Sequence, residues 1–371
     1  MNEQRNILIS PLEWGLGHAT RMIPVARRLA DMNHNIYVAS GEAHLAIFRS
    51  EIPGIKCIAF SGFSPKYSRF LPQYLSLLFK TPLLLWYIIS DHHRLRKIIR
   101  DYNIDLVISD NRFGLWTSKV KCVYITHLPR IPLPAPFKLL EITGILLHRY
   151  VIKKYSLCFI PDLPGEMNLS GRLAHGVKLP SNVQYMGILS RFLTPDNSDN
   201  NYVSASPHNT IILSGPEPQR GILKDKLVKQ FSEKNITTYI LEGRPEAEPQ
   251  ETVSGNIVTV GHLNTADFQT LLKTSNLIIS RSGYTTIMDL AAIGRTGLLI
   301  PTPGQTEQEY LAEYMAERKW FSFIRQNEID YGINDEILAS EIPAGIASES
   351  RQLFEKALIK MLEQDHENCN P

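Results

Sequence analysis

A histidine set behind two glycines is the first group in this chain that could do chemistry. It lies in Trp14-Gly15-Leu16-Gly17-His18-Ala19-Thr20-Arg21, directly after a short apolar run, Ile7 to Ser10. Glycines allow a tight turn and a close backbone approach to a ligand, and a helix that opens there favours an anion. The spacing is not the dinucleotide fingerprint, because Thr20 stands where a third glycine would be. His18 titrates near neutrality, so it offers a general base; the bland alternative is that it orients the turn. Asp110 ends a second apolar run in Ser109-Asp110-Asn111-Arg112. A carboxylate there either orients His18 and stabilises its protonated form, or caps a turn. Gly15, Gly17 and Asn111 stand beside this pair, and His127, ending the next apolar run, lines the same cleft either as a contact for a substrate or as filler.

The second half holds four further loops of this kind. Ser214-Gly215-Pro216-Glu217-Pro218-Gln219-Arg220 follows an apolar run and precedes a helical stretch. Backbone N–H groups there suit a diphosphate, although each proline removes one donor. Gly215 and Arg220 are the candidates, Arg220 as a charge-assisted donor. Ser280-Arg281-Ser282-Gly283-Tyr284-Thr285-Thr286 repeats the pattern, with Asp289 well inside the helix that follows. That carboxylate suits two ribose hydroxyls, or else a solvated face. Pro301-Thr302-Pro303-Gly304-Gln305-Thr306-Glu307-Gln308-Glu309 fixes a turn and then offers Gln305, Gln308 and Glu309, mixed donors and acceptors that suit a sugar. The fourth is the turn Gly261-His262-Leu263.

Apolar runs alternating with helical stretches must hold these loops. Strands are expected at 7–10, 35–39, 55–60, 105–109, 121–126 and 157–160. After the breaker-rich segment 194–201, they resume at 210–213, 237–241, 257–260, 277–280 and 297–300. Helices are expected at 19–32, within 70–102, at 139–153 and at 348–364. Such alternation predicts α/β architecture with parallel sheets, in which ligands sit beyond the carboxyl ends of the strands.

The 371 residues suit two domains, and 43% hydrophobic content supports packed cores. The four cysteines have no metal or redox spacing, which suits a reducing compartment. No signal peptide is visible, and Lys80 and Pro82 break the apolar stretch 71–89 before it reaches membrane-spanning length. The net charge of +2 hides an asymmetry: residues 1–192 carry 24 basic and 12 acidic side chains, the remainder 15 and 25. A basic first half attracts an anionic lipid surface or a phosphorylated acceptor; alternatively the halves attract each other. Without a basic-aromatic stripe or a recognisable module, nucleic acid is not an expected partner. Arg94, Arg96 and Lys97, with Leu75, Leu78, Phe79 and Leu83 to Trp86, fit a peripheral contact with an anionic membrane, or an ordinary helix pair.

Together, Gly15 to Arg21, Ser280 to Thr286 with Asp289, and Pro301 to Gln305 with Gln308 and Glu309 resemble the family 28 glycosyltransferases. That family includes the peptidoglycan N-acetylglucosaminyltransferase that uses a UDP-sugar. The resemblance implies two Rossmann-like domains of the GT-B fold facing across a cleft: 1–192 for the acceptor, 207–345 for the nucleotide-sugar, and a closing helix in 346–371 that packs back on the first domain. It implies inverting transfer from a nucleotide-sugar, UDP-linked, to an acceptor hydroxyl, with no metal and no cofactor beyond that co-substrate. It places a cytoplasmic enzyme, peripheral on the inner membrane face. By motif position, Asp289 grips the ribose, Gln308 and Glu309 the donor sugar, Ser282, Gly283, Thr285 and Gly215 the diphosphate, and Gly261, His262 and Leu263 the base; His18 is the proton acceptor. The chain departs from that enzyme in Pro216 and Pro218, in Asp289 where a glutamate is usual, and in Glu309 where a second glutamine stands. A nucleotide-sugar hydrolase or epimerase, or a nucleotide-sugar-binding protein without activity, are the alternative readings.

Overall fold

The computed structural model describes residues 4–64, 80–193, 207–215, 217–243, 251–333 and 340–363. Residues 70–79 of the expected helical stretch 70–102, the breaker-rich segment 194–201 and Pro216 lie outside these residues.

Two seven-stranded sheets organise the chain. The first has the order β3-β2-β1-β4-β5-β6-β7, from β1 (Asn6–Pro11), β2 (Asn35–Ser40), β3 (Lys56–Ala59), β4 (Leu106–Asp110), β5 (Lys121–Ile125), β6 (Leu157–Ile160) and β7 (Val183–Tyr185). Every pairing in it is parallel. Runs such as Ile7-Leu8-Ile9 and Leu106-Val107-Ile108 are fully buried, as expected of strands covered on both faces. The second has the order β10-β11-β9-β8-β12-β13-β14, from β8 (His208–Ile212), β9 (Thr237–Leu241), β10 (Glu251–Ser254), β11 (Ile257–Val260), β12 (Leu277–Ser280), β13 (Leu298–Leu299) and β14 (Ser322–Phe323).

Among the parallel strands of each sheet the order reverses once, between β1 and β4 and between β8 and β12, which makes both units Rossmann-like with a topological switch point. One departure from the parallel expectation is β10, which pairs antiparallel with β11. Its residues are all exposed, so no burial pattern marks it. The tight turn Gly255-Asn256 between Ser254 and Ile257 was the readable signal for this hairpin.

Nine α-helices are described: α1 (Gly17–Asp31), α2 (Glu42–Glu51), α3 (Thr81–Tyr102), α4 (Glu141–Ile152), α5 (Gln219–Phe231), α6 (Thr265–Thr274), α7 (Tyr284–Ala292), α8 (Thr306–Glu317) and α9 (Ile346–Leu362). In α1, Met22, Ile23, Val25, Ala26 and Leu29 are buried against the first sheet, a stripe at helical spacing. The last helix, α9, returns to the first half. Ser350 Oγ accepts from Ile188 N at 3.2 Å, and Arg351 donates to Leu193 O at 3.0 Å. Arg28 pairs with Glu355 through two bonds, of 2.9 and 3.0 Å. Gly187 is left-handed (φ 73°), and a Cβ there would meet the Ser350 backbone at 2.6 Å. Only glycine satisfies both constraints.

Candidate active site

The loops after β1, β4 and β5 converge at the first switch point. His18 Nδ1 lies 2.8 Å from Asp110 Oδ2, across 92 residues of sequence that the β1·β4 pairing closes. Arg21, one turn after His18 on α1, forks onto the same carboxylate: Nε reaches Asp110 Oδ1 at 3.1 Å and Nη2 bonds Oδ1. Asp110 is fully buried and Arg21 is 1% exposed. Burial pushes the Asp110 carboxyl up, but the charges of Arg21 and His18 and their hydrogen bonds more than offset it and hold it at about 2. Burial pushes His18 down, Arg21 pushes it further, and Asp110 pulls it only part of the way back, leaving it at about 4.

The charges also decide the tautomer. Arg21 Nη2 sits 2.9 Å from His18 Nδ1. If Nδ1 were the acceptor of that bond, its lone pair would face the Asp110 carboxylate at 2.8 Å. With Arg21 already satisfied by Asp110, the favoured arrangement has Nδ1–H donating to Asp110 and leaves Nε2 as a free acceptor. An uncharged imidazole with a free Nε2 is the form a general base needs.

His44 supports this loop from below. It bridges Ser40 Oγ at 3.1 Å and the carbonyl of Gly15 at 3.2 Å, and burial lowers it to about 4. Nothing in the sequence singled it out. Asn111 is buried, its side-chain oxygen accepting from Tyr124 at 3.3 Å, so its amide is engaged within the first domain.

The second half meets this centre directly. Thr285 Oγ1 donates to Gly17 O at 3.1 Å, and a Cβ on Gly17 would lie 2.9 Å from that hydroxyl. Tyr284 stacks on His127 with ring centroids 4.6 Å apart and donates to Pro161 O at 2.8 Å. His127 Nδ1 takes a bond from Arg21 Nη1 at 3.0 Å, and Nε2 faces Glu307 Oε1 at 3.0 Å. Thus His18, Asp110, His127, Gly17 and Thr285 come together, joined by Arg21, Tyr284 and Glu307, to which the sequence reading gave no role. Arg21 had a signal, its one-turn spacing from His18; Tyr284 and Glu307 had none apart from the fold.

On the second switch point, Arg281 joins three loops. Its guanidinium donates to Ile300 O (3.2 Å), Pro301 O (3.1 Å), Gln219 O (2.8 Å) and Gln326 Oε1 (2.7 Å). All four acceptors are neutral, its Nε has no partner, and it is 0% exposed. Burial lowers it to about 10, still charged at neutral pH. Ser282 Oγ is likewise buried, donating to Gln308 O at 2.8 Å, so the Ser282-Gly283 loop offers its backbone.

Several expected donor contacts have partners of their own. Gln308 Oε1 accepts from Thr302 N, and Glu309 Oε1 from Gly304 N, both at 2.9 Å, bracing the turn that precedes α8. Gln305 stands at the N-cap of that helix. Arg220 pairs with Glu217 at 2.9 Å instead of standing free beside Gly215. Asp289, six residues into α7, is buried; Ser190 Oγ donates to it at 2.6 Å and Arg191 lies at 3.5 Å. Burial raises its carboxyl, and the Arg191 charge and the Ser190 bond recover only part. His262, between Gly261 and Leu263 after β11, is lowered by burial and then by Arg191.

Two Rossmann-like units whose switch points face one cleft make a protein of the GT-B architecture. Solved structures agree on the fold: a glycotransferase of kitacinnamycin (TM-score 0.64, 12% identity, 98% of each chain) and the spinosyn rhamnosyltransferase SpnG complexed with thymidine diphosphate (TM-score 0.61, 14% identity, 97% of this chain and 100% of that one). In the second half, residues 223–365 match the glycosyltransferase family 28 C-terminal domain. An 85-residue stretch is 36% identical to the UDP-N-acetylglucosamine--N-acetylmuramyl-(pentapeptide) pyrophosphoryl-undecaprenol N-acetylglucosamine transferase of Bradyrhizobium diazoefficiens, and spans 23% of each chain. The chain is also 25% identical over 321 residues to an uncharacterized glycosyltransferase of Methanosarcina acetivorans, covering 82% of this chain and 81% of that one.

Proposed function

We propose that this protein transfers a sugar from a UDP-linked donor to an acceptor hydroxyl with inversion and without a metal. The observation that carries the reading is the His18–Asp110 contact of 2.8 Å, set opposite the loops that start α7 and α8. His18 Nε2 takes the proton of the acceptor hydroxyl as its oxygen forms a bond to the anomeric carbon. The bond from that carbon to the diphosphate oxygen breaks, and the electron pair leaves with the nucleotide. Asp110 stabilises the imidazolium that results. The departing negative charge is met by backbone N–H groups at Gly215 and Gly283 and by the buried cation of Arg281, a fixed electrostatic arrangement that needs no ion.

The acceptor on this reading is lipid-linked, and the first domain rests on an anionic membrane. Leu83, Leu85, Trp86 and Ile89 on α3 and Leu139, Ile142, Leu146, Leu147 and Tyr150 in and before α4 are all exposed, Leu139 by 85%. Trp116 packs on His92 of α3 at 4.4 Å and under Lys154, which follows α4, at 5.3 Å. Arg96, Lys97, Lys138 and Lys153 are exposed on the same elements or at their ends. Apolar side chains edged by lysine and arginine suit the boundary of an anionic bilayer. Among the described residues no helix is long and apolar enough to cross one.

Two assays test the two parts. UDP is expected to raise the melting temperature irrespective of magnesium, and an acceptor to accelerate UDP release in a His18-dependent manner. Full turnover by His18→Ala would remove the base. Co-sedimentation with vesicles containing phosphatidylglycerol should exceed that with neutral vesicles and fall in Leu147→Asp; indifference to lipid charge would remove the membrane contact.

A further inference from the structure

Glu307 stands in the first turn of α8, where an acidic side chain commonly serves only its own helix. Here it leaves that role and reaches the other domain. Its partner, His127, is 3% exposed and bonded on both ring nitrogens. Arg21 can only donate, so His127 Nδ1 accepts and Nε2–H donates to Glu307. The result is one chain of bonds with carboxylates at its two ends, in which Arg21 donates to Asp110 on one side and, on the other, to His127, which donates to Glu307. The residue before Glu307 acts in the same sense: Thr306 Oγ1 donates to Pro132 O at 2.8 Å. Two consecutive residues of α8 therefore seize the first domain. The next two are Gln308 and Glu309, which hold the turn facing the donor.

From this geometry we infer that Glu307 is a positioning residue, fixing the donor-side helix at a set distance from the His18–Asp110 pair when the domains close. The inference deepens the transferase reading and rests on it. Burial raises the Glu307 carboxyl, but the His127 bond and the charges of His18 and Arg21 bring it below its usual range. The Glu307 carboxylate therefore stays ionised, and able to accept from His127, through the neutral range. A displacement of about 1 Å between reacting groups costs roughly 100-fold in rate. Loss of the tie should accordingly appear in turnover and not in donor affinity.

The test uses the full chain in wild-type, Glu307→Ala, Glu307→Gln and His127→Asn forms. Glu307→Ala is expected to lower kcat by about 100-fold, with the donor KM and the melting shift given by UDP both within about twofold of wild type. Glu307→Gln, whose amide oxygen can still accept from His127, should recover much of the rate. The double variant His127→Asn/Glu307→Ala should lose no more than the worse single one, since one interaction is removed once. A raised donor KM at unchanged kcat would make Glu307 a sugar contact and overturn the proposal, as would full turnover in Glu307→Ala. Small-angle scattering of the unliganded proteins supplies a readout independent of turnover. Glu307→Ala should have a larger radius of gyration than wild type, and equal radii would overturn the tie. If wild type neither binds UDP nor transfers sugar, the transferase reading fails while scattering still decides the tie.

Discussion

Replacing Arg21 by methionine should move the acid limb of the pH profile of kcat/KM upward. The limb reports the free enzyme's base, which is His18, at about 4 in the native protein. Activity is expected above that value and lost as pH falls through it, because the protonated imidazole has no free Nε2. Arg21 contributes to the low value through a cation 2.9 Å from Nδ1. A unit charge at about 4 Å is worth about 4 kcal/mol at an effective dielectric constant of about 20, and about 1.4 kcal/mol displaces a pKa by one unit. The ceiling is therefore about three pH units, and neighbouring charges usually move a group by about one to three. Methionine keeps the length of the side chain and removes the charge, leaving Asp110 to pull His18 upward alone. A displacement of about two units would cost roughly tenfold in kcat/KM at pH 5, with little change at pH 8. Arg21→Lys retains the charge and should leave the limb near its native position. Initial rates from pH 4 to 9 at low donor concentration, with both variants checked for cooperative unfolding, make the comparison. A limb that stays near 4 in Arg21→Met would refute the reasoning, because burial alone would then set the base.

The other expectations concern binding and stability. Arg281→Met should weaken UDP by about tenfold or more while uridine changes by less than about twofold; isothermal titration of both ligands decides, and equal losses would reduce Arg281 to a scaffold. His18, His44 and His148 all stand at about 4 in the folded chain, against 6.5 for the unperturbed side chain. The unfolded chain therefore binds their protons first, and stability should fall as pH drops from about 6.5 to 4, by about 1.4 kcal/mol per pH unit for each group well inside that window. Urea midpoints across pH 4 to 8 measure it, and a flat series would count against buried neutral histidines. Gly187→Ala forces a side chain into a left-handed position against the Ser350 backbone, and should cost about 2 kcal/mol or more in the same titration; an unchanged midpoint would mean that α9 yields freely.

The sheet strands were legible because each is an apolar run closed by a breaker, as in Ile7 to Ser10 or Leu277 to Ser280. The short edge strands were not: β14 has two residues, and β10 carries Glu251 and Thr252 on a fully exposed edge. The position of His18 and Asp110 could be read because His18 opens the helix after β1 and Asp110 ends β4, the two strands at which the order reverses. Their shared partner Arg21 could not be assigned a role, since its direction depends on how α1 lies over β4. Glu307, Tyr284 and Ser190 were hidden for a further reason: their partners belong to the other half of the chain, and no local pattern records which faces meet. The charge asymmetry has a partial explanation in the same place. Arg28 with Glu355 and Arg191 with Asp289 pair a basic first half with an acidic second half.

The return of α9 onto the first domain bears on how the cleft can open. The polypeptide passes between the two units twice, once after Leu193 and again before Ile346, and is fastened again beyond the second passage by the Arg28–Glu355 fork and by Lys121 under the end of α9. A single tether would leave one unit free to tumble about a point. Two passages restrict that tumbling, and the Glu307–His127 contact joins the two halves at a further point. Cutting the chain ahead of α9 would remove that second fastening and also uncover the core that Phe354, Leu358 and Met361 complete.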